Sequence, residues 1–112
     1  HIIYAGFIPR IDLYYAAADI FLNPVLSGGG IKTKMVEAIA YGATVISTET
    51  GATGINEAVW GSNLVLIPDG DWNAFANAVV KSGQENPSPT PAAYYQQYHW
   101  EAIISDVLEK AI

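Results

Sequence analysis

The sequence predicts an α/β fold built on a doubly wound parallel sheet, and three observations lead there. Short apolar runs alternate with segments of helical period along the chain. The runs are apolar throughout rather than alternating, as strands covered by helices on both faces must be. Seven of the ten glycines, Gly6, Gly28, Gly29, Gly30, Gly51, Gly54 and Gly70, fall just after a predicted strand, where parallel sheets gather their ligand-binding loops.

Taken in order, Ile2-Ile3-Tyr4-Ala5 reads as a first strand, and residues 11–18, entered after Pro9, as a helix. Residues 20–23 are a second strand. Residues 31–41 form a helix closed by Gly42 in the C′ position, and residues 44–47 a third strand. Residues 64–67 are a fourth. Residues 71–82 are a helix with Asp71 as N-cap and Trp72, Phe75, Ala76 and Val79 on one face. Pro87, Pro89 and Pro91 then prevent any helix, and residues 94–112 return to helical spacing through Trp100, Ile103, Ile104, Val107 and Leu108. Residues 86–112 therefore read as a C-terminal helical tail to a single domain spanning residues 1–112. Strand, helix, strand in repetition implies parallel pairing through right-handed crossovers.

At 112 residues, with 51% of them hydrophobic, the chain has material for one core. Only 14% of residues are charged, which suggests apolar surface covered by something outside this chain. With His1 at the start and an apolar run immediately after it, the sequence reads as part of a longer protein. A net charge of −6, with only five Lys and Arg, argues against nucleic acid or an anionic membrane as partner. The absence of cysteine excludes disulfides and thiolate metal sites, compatible with a reducing cytoplasm. No apolar run reaches the length of a spanning helix.

Function concentrates in residues 27–38, where Gly28, Gly29 and Gly30 run into an apolar helix whose first turn holds Lys32, Thr33 and Lys34. A helix N-terminus presents unpaired N–H donors and roughly half a positive charge, so a cation there is unfavourable by about 0.3–1 kcal/mol. Two lysines at that place call for an anion, and glycines let the backbone approach a phosphate or pyrophosphate closely. At 3.6 residues per turn Ile31, Met35, Ala38 and Ile39 share one arc, while Thr33, Lys34, Glu37 and Tyr41 share the other. Lys32 falls on the apolar half, where a snorkelling side chain is the simpler alternative. Lys34 and Glu37, three apart, are also spaced for a surface ion pair. The Walker pattern and the dinucleotide fingerprint are both absent, as are Ser-His-Asp, HExxH and metal-spaced carboxylates. No catalytic residue and no metal ligand is assigned, and His99 reads as a packed or surface histidine.

Three segments together resemble the C-terminal half of group 1 (family 4) glycosyltransferases of the GT-B fold. They are residues 3–9 (IYAGFIP), 13–24 (LYYAAADIFLNP) and 30–48 (GIKTKMVEAIAYGATVIST), with a weaker echo in Tyr98-His99-Trp100-Glu101. The resemblance implies a truncated Rossmann-like domain that binds a nucleotide-diphosphate sugar, with the acceptor site (for a sugar, lipid-linked or protein acceptor) on a separate N-terminal domain and transfer with retention in the cleft between them. It places the diphosphate at Gly28, Gly29, Gly30, Lys32, Thr33 and Lys34, and the donor ribose on Glu37, whose carboxylate can accept from two vicinal hydroxyls. It sets Phe7 where the family packs the nucleobase or ribose, an edge core aromatic being the alternative. No cofactor beyond the donor substrate is implied.

The family's first motif glutamate stands eight positions before the second, and here that position is Gly29. This departure favours a grip on the diphosphate by glycines and lysines. It also keeps open a non-catalytic nucleotide-sugar-binding or partner domain, and a GT-B sugar-nucleotide epimerase is a further alternative. Polysaccharide or glycoconjugate biosynthesis is the expected setting. The expected location is cytoplasmic, with any attachment to the inner membrane supplied by other parts of the full-length protein, and this chain alone is expected to be inactive.

Overall fold

Strand β2 (Thr44–Thr48) lies between β1 (Ile20–Asn23) and β3 (Leu64–Ile67) in a sheet of order β1-β2-β3 with both pairings parallel. Phe21 stands opposite Val45, and Val45 opposite Leu64. The computed structural model describes residues 2–28 and 33–85. Helix α1 (Ile11–Ala17) precedes β1, α2 (Thr33–Ala40) connects β1 to β2, α3 (Glu57–Trp60) lies between β2 and β3, and α4 (Trp72–Gln84) follows β3. Two 3₁₀ turns, Thr50–Ala52 and Gly61–Asn63, complete the order.

Successive residues of a strand point to opposite faces, and β2 divides the core accordingly. Val45 packs with Tyr15, Met35, Ala38, Ile39, Ala43, Ala52 and Trp60, so α1, α2 and α3 cover one face. Ile46 packs with Ile67 and Phe75 beneath α4 on the other. Both Val45 and Ile46 are fully buried, each burial worth about 1.5–3 kcal/mol. The α/β class with a parallel sheet covered on both faces is the one the sequence predicts.

The helix ends follow their chemistry. Gly42 adopts φ +88°, its N–H donates to the Ile39 carbonyl at 2.9 Å, and the Ala43 N–H donates to Ala38 at 3.1 Å. These are the two bonds of a Schellman C-cap, which satisfy carbonyls that α2 would otherwise leave unpaired. Asp71 caps α4 by accepting from the Ala74 N–H at 3.0 Å.

One predicted strand is not formed. Residues 2–5 belong to no strand, and Ile2, Ile3 and Tyr4 are 96%, 79% and 94% exposed. Apolar composition makes a strand only where a neighbouring backbone accepts its hydrogen bonds, and none of the described strands lies beside this segment. The helix predicted over residues 31–41 is described as Thr33–Ala40, with residues 31 and 32 outside the described residues, as is the predicted tail 86–112. Conversely, α3 and its flanking 3₁₀ turns were not expected. Asn56 caps α3 by accepting from the Ala58 N–H at 3.2 Å, and the helix delivers Trp60, fully buried, into the core beside Val45.

The two described tryptophans separate core from surface. Trp60→Ala should lower unfolding stability by roughly 3–5 kcal/mol, the usual cost of emptying a large core site. Trp72→Ala, at a residue 47% exposed, should cost less than half as much; urea unfolding of both variants checks the contrast.

Candidate functional site

The carboxyl ends of the three strands, Asn23, Thr48 and Ile67, lie along one edge of the sheet, and the loops that leave them are joined. The Glu49 N–H donates to the Ile67 carbonyl at 3.0 Å, and the Thr50 N–H to Asp69 Oδ1 at 3.0 Å. The Thr50 hydroxyl also donates to Asp69 Oδ2. These bonds, the hydroxyl's above all, hold the Asp69 carboxyl below the usual carboxylate range.

Beneath the loops sits a buried polar cluster. Asn23 Nδ2 donates to Ser47 Oγ at 3.1 Å and to the Gly51 carbonyl at 3.2 Å, and lies 3.0 Å from Met35 Sδ in α2. Ser47 Oγ donates to the Thr48 carbonyl at 2.9 Å. The Thr48 hydroxyl donates to the Val25 carbonyl and accepts from the Gly51 N–H at 3.1 Å. Ser47 and Thr48 are fully buried, where an unpaired hydroxyl would be costly. A Cβ at Gly51 would stand 2.6 Å from Asn23 Nδ2 and 2.8 Å from both hydroxyl oxygens, so only glycine fits. Sequence reasoning did not single out Asn23 or Ser47, whose available signal was polar residues at the carboxyl ends of otherwise apolar runs; Thr48 reads from the sequence only as the start of a loop, residues 48–54, facing the same crevice as the glycine motif.

Of the residues expected to bind a ligand, Gly28, Thr33, Lys34, Glu37 and Phe7 are among the described residues. Gly28 adopts φ +104°, a conformation open to glycine. Gly29, Gly30 and Lys32 lie outside the described residues. Thr33 and Lys34 open α2, both exposed, in a first turn that contains no acid. Met35, Ala38 and Ile39 are fully buried while Thr33, Lys34 and Glu37 are exposed, the division that the helical period predicts. The Lys34–Glu37 ion pair that the spacing allowed is not formed; the ion pairs among the described residues are Arg10–Asp12 and Lys81–Glu85. Phe7 is 92% exposed.

Glu37 instead faces α1. The buried Tyr15 ring stacks on Tyr41 with centroids 5.9 Å apart and planes 14° from parallel, and the Glu37 carboxylate is near enough to act on its phenol. Desolvation first, and then hydrogen bonding and Coulombic interaction with Glu37, push the Tyr15 phenol up to about 12. Tyr15 was not expected to reach the candidate site residues, because its contact with Glu37 is made only when α1 packs beside α2.

A parallel sheet covered by helices on both faces, with a glycine-rich connection from one strand's carboxyl end to the next helix, defines a Rossmann-like domain. The match to known families is more specific: residues 1–84 fit the model of the glycosyl transferases group 1 family. The chain belongs to that family, and a role in glycosyl transfer follows in general terms from this membership. No curated protein and no solved structure matches the chain. Among the described residues, no helix is long and apolar enough to cross a membrane.

The raised Tyr15 pKa has a defined sign. Between about pH 10, the unfolded value, and about pH 12, the folded protein holds a proton that the unfolded chain has lost, so stability falls as pH rises through that window. Tyr15→Phe should therefore show a shallower loss of stability than wild type over this range in urea titrations. Equal slopes would contradict the placement of Tyr15.

Proposed function

We propose that this chain is the donor-binding part of a group 1 glycosyltransferase, holding the diphosphate of a nucleotide-sugar at the start of α2. The observation that carries the reading is Lys34, exposed in the acid-free first turn of a helix that follows, in sequence, β1 and the run Gly28-Gly29-Gly30. The helix end and the lysine disfavour each other until an anion occupies the space between them.

In this reading Gly28, Gly29 and Gly30 allow close approach of backbone N–H groups to the diphosphate, and Lys32, Thr33 and Lys34 complete its grip. During transfer the bond between the anomeric carbon and the donor's diphosphate breaks, and negative charge grows on the leaving group. Donors and dipoles already oriented towards that charge stabilise it without reorganising. Glu37 receives the ribose hydroxyls, a role that competes with its contact to the Tyr15 hydroxyl. The acceptor is held by a further domain, so catalysis belongs to the assembled protein. The presence of Gly29 where the family's first motif glutamate stands favours a second reading, a domain that binds nucleotide-sugar without transferring it.

Calorimetric titration of the intact protein with UDP, GDP and dTDP tests the donor site. Saturable binding of one of them is expected, weakened about tenfold or more in Lys34→Ala and in Glu37→Ala, the size of one lost charged hydrogen bond. Binding that both variants leave intact would displace the site from α2. A donor bound but neither transferred nor hydrolysed by the intact protein would favour the second reading.

A further inference from the structure

We propose that Thr48 is a positioning residue for the donor site, its hydroxyl bracing the loop that leaves β1 at Val25 against the turn that leaves β2 at Gly51. This inference rests on the donor reading above. Its basis is that both flanks of residues 29–32 are tied to the same buried point at the carboxyl end of β2. On one flank, the Val25 carbonyl accepts from the Thr48 hydroxyl. On the other, Met35 in the first turn and a half of α2 is fully buried with its sulfur 3.0 Å from Asn23 Nδ2, which in turn bonds Ser47 Oγ beside Thr48.

The Thr48 hydroxyl serves both of its roles at once. It gives its single proton to Val25 and takes the Gly51 N–H at 3.1 Å, so the loop leaving β1 and the turn leaving β2 are held by one oxygen atom. Gly51 is itself confined, because the space beside it is filled by Asn23, Ser47 and Thr48. Valine matches threonine in shape but supplies neither donor nor acceptor, leaving the Val25 carbonyl and the Gly51 N–H without their buried partner. The loss falls on the geometry of the loop into the glycine segment, and no contact between Thr48 and the ligand is required.

The experiment compares wild type, Thr48→Val, Thr48→Ser and Phe75→Leu in the intact protein, with two readouts. Phe75 packs under α4 on the opposite face of the sheet and serves as a control for general destabilisation. Amide hydrogen exchange reports the brace without any ligand: Gly51 should lose protection in Thr48→Val, regain it in Thr48→Ser, and keep it in Phe75→Leu. Calorimetry with UDP, GDP and dTDP reports its consequence. Affinity should fall about tenfold in Thr48→Val, recover in Thr48→Ser, and stay at the wild-type value in Phe75→Leu even though that variant's Tm falls. Unchanged Gly51 protection in Thr48→Val, or nucleotide affinity lost equally in Phe75→Leu, would overturn the proposal. If wild type binds none of the nucleotides while Thr48→Val still loses Gly51 protection, the brace is supported and the donor reading is what fails.

Discussion

Everything in this domain hangs on β2 having two faces to bury. Val45 and Ile46 are neighbours in sequence, so the pleat sends them to opposite sides of the sheet, and both are fully excluded from water. Neither can be satisfied unless helices lie on both faces. That requirement places α1, α2 and α3 over Val45 and α4 over Ile46, and it confines the connections to the two ends of the strands. Because the strands run parallel, all three carboxyl ends share one edge, and the loops of greatest chemical interest meet there.

That edge is polar in a region where the rest of the sheet is not. Asn23, Ser47 and Thr48 replace the apolar pattern of β1 and β2 at their last positions, and their hydrogen bonds join the two strands, the Val25 carbonyl and the turn at Gly51. Buried polar groups that satisfy one another hold a single arrangement, since each alternative strands a donor or an acceptor away from water. A loop that must present backbone N–H groups to an anion gains from such a base, for an anion site is only as good as the fixed orientation of its donors.

Much of this was legible in the sequence because local and global signals agree. The runs at 20–23 and 64–67 are bounded by turn-forming residues and match β1 and β3, and Gly42 and Asp71 act as the caps that their positions imply. The division of α2 into buried Met35, Ala38 and Ile39 against exposed Thr33, Lys34 and Glu37 follows from its period alone. The run at 2–5 misled because composition reports suitability for a strand and says nothing of a pairing partner. Helix α3, four residues long, is shorter than any period can reveal, and so the burial of Trp60 was hidden with it. The meeting of Tyr15 with Glu37 and the cluster around Thr48 depend on contacts between elements distant in sequence. Single polar letters at the ends of apolar runs mark such contacts only after the strands are paired.

The central claim is that the start of α2 is an anion site, and pyrophosphate tests it without any assumption about base or sugar. Two-dimensional amide NMR of the intact protein during titration with pyrophosphate is the direct measurement. The account predicts saturable shifts that begin at Gly28, Thr33 and Lys34 and leave α4 unmoved. Shifts that appear equally around Lys81, the lysine described in α4, or no saturable shift at all, would contradict it.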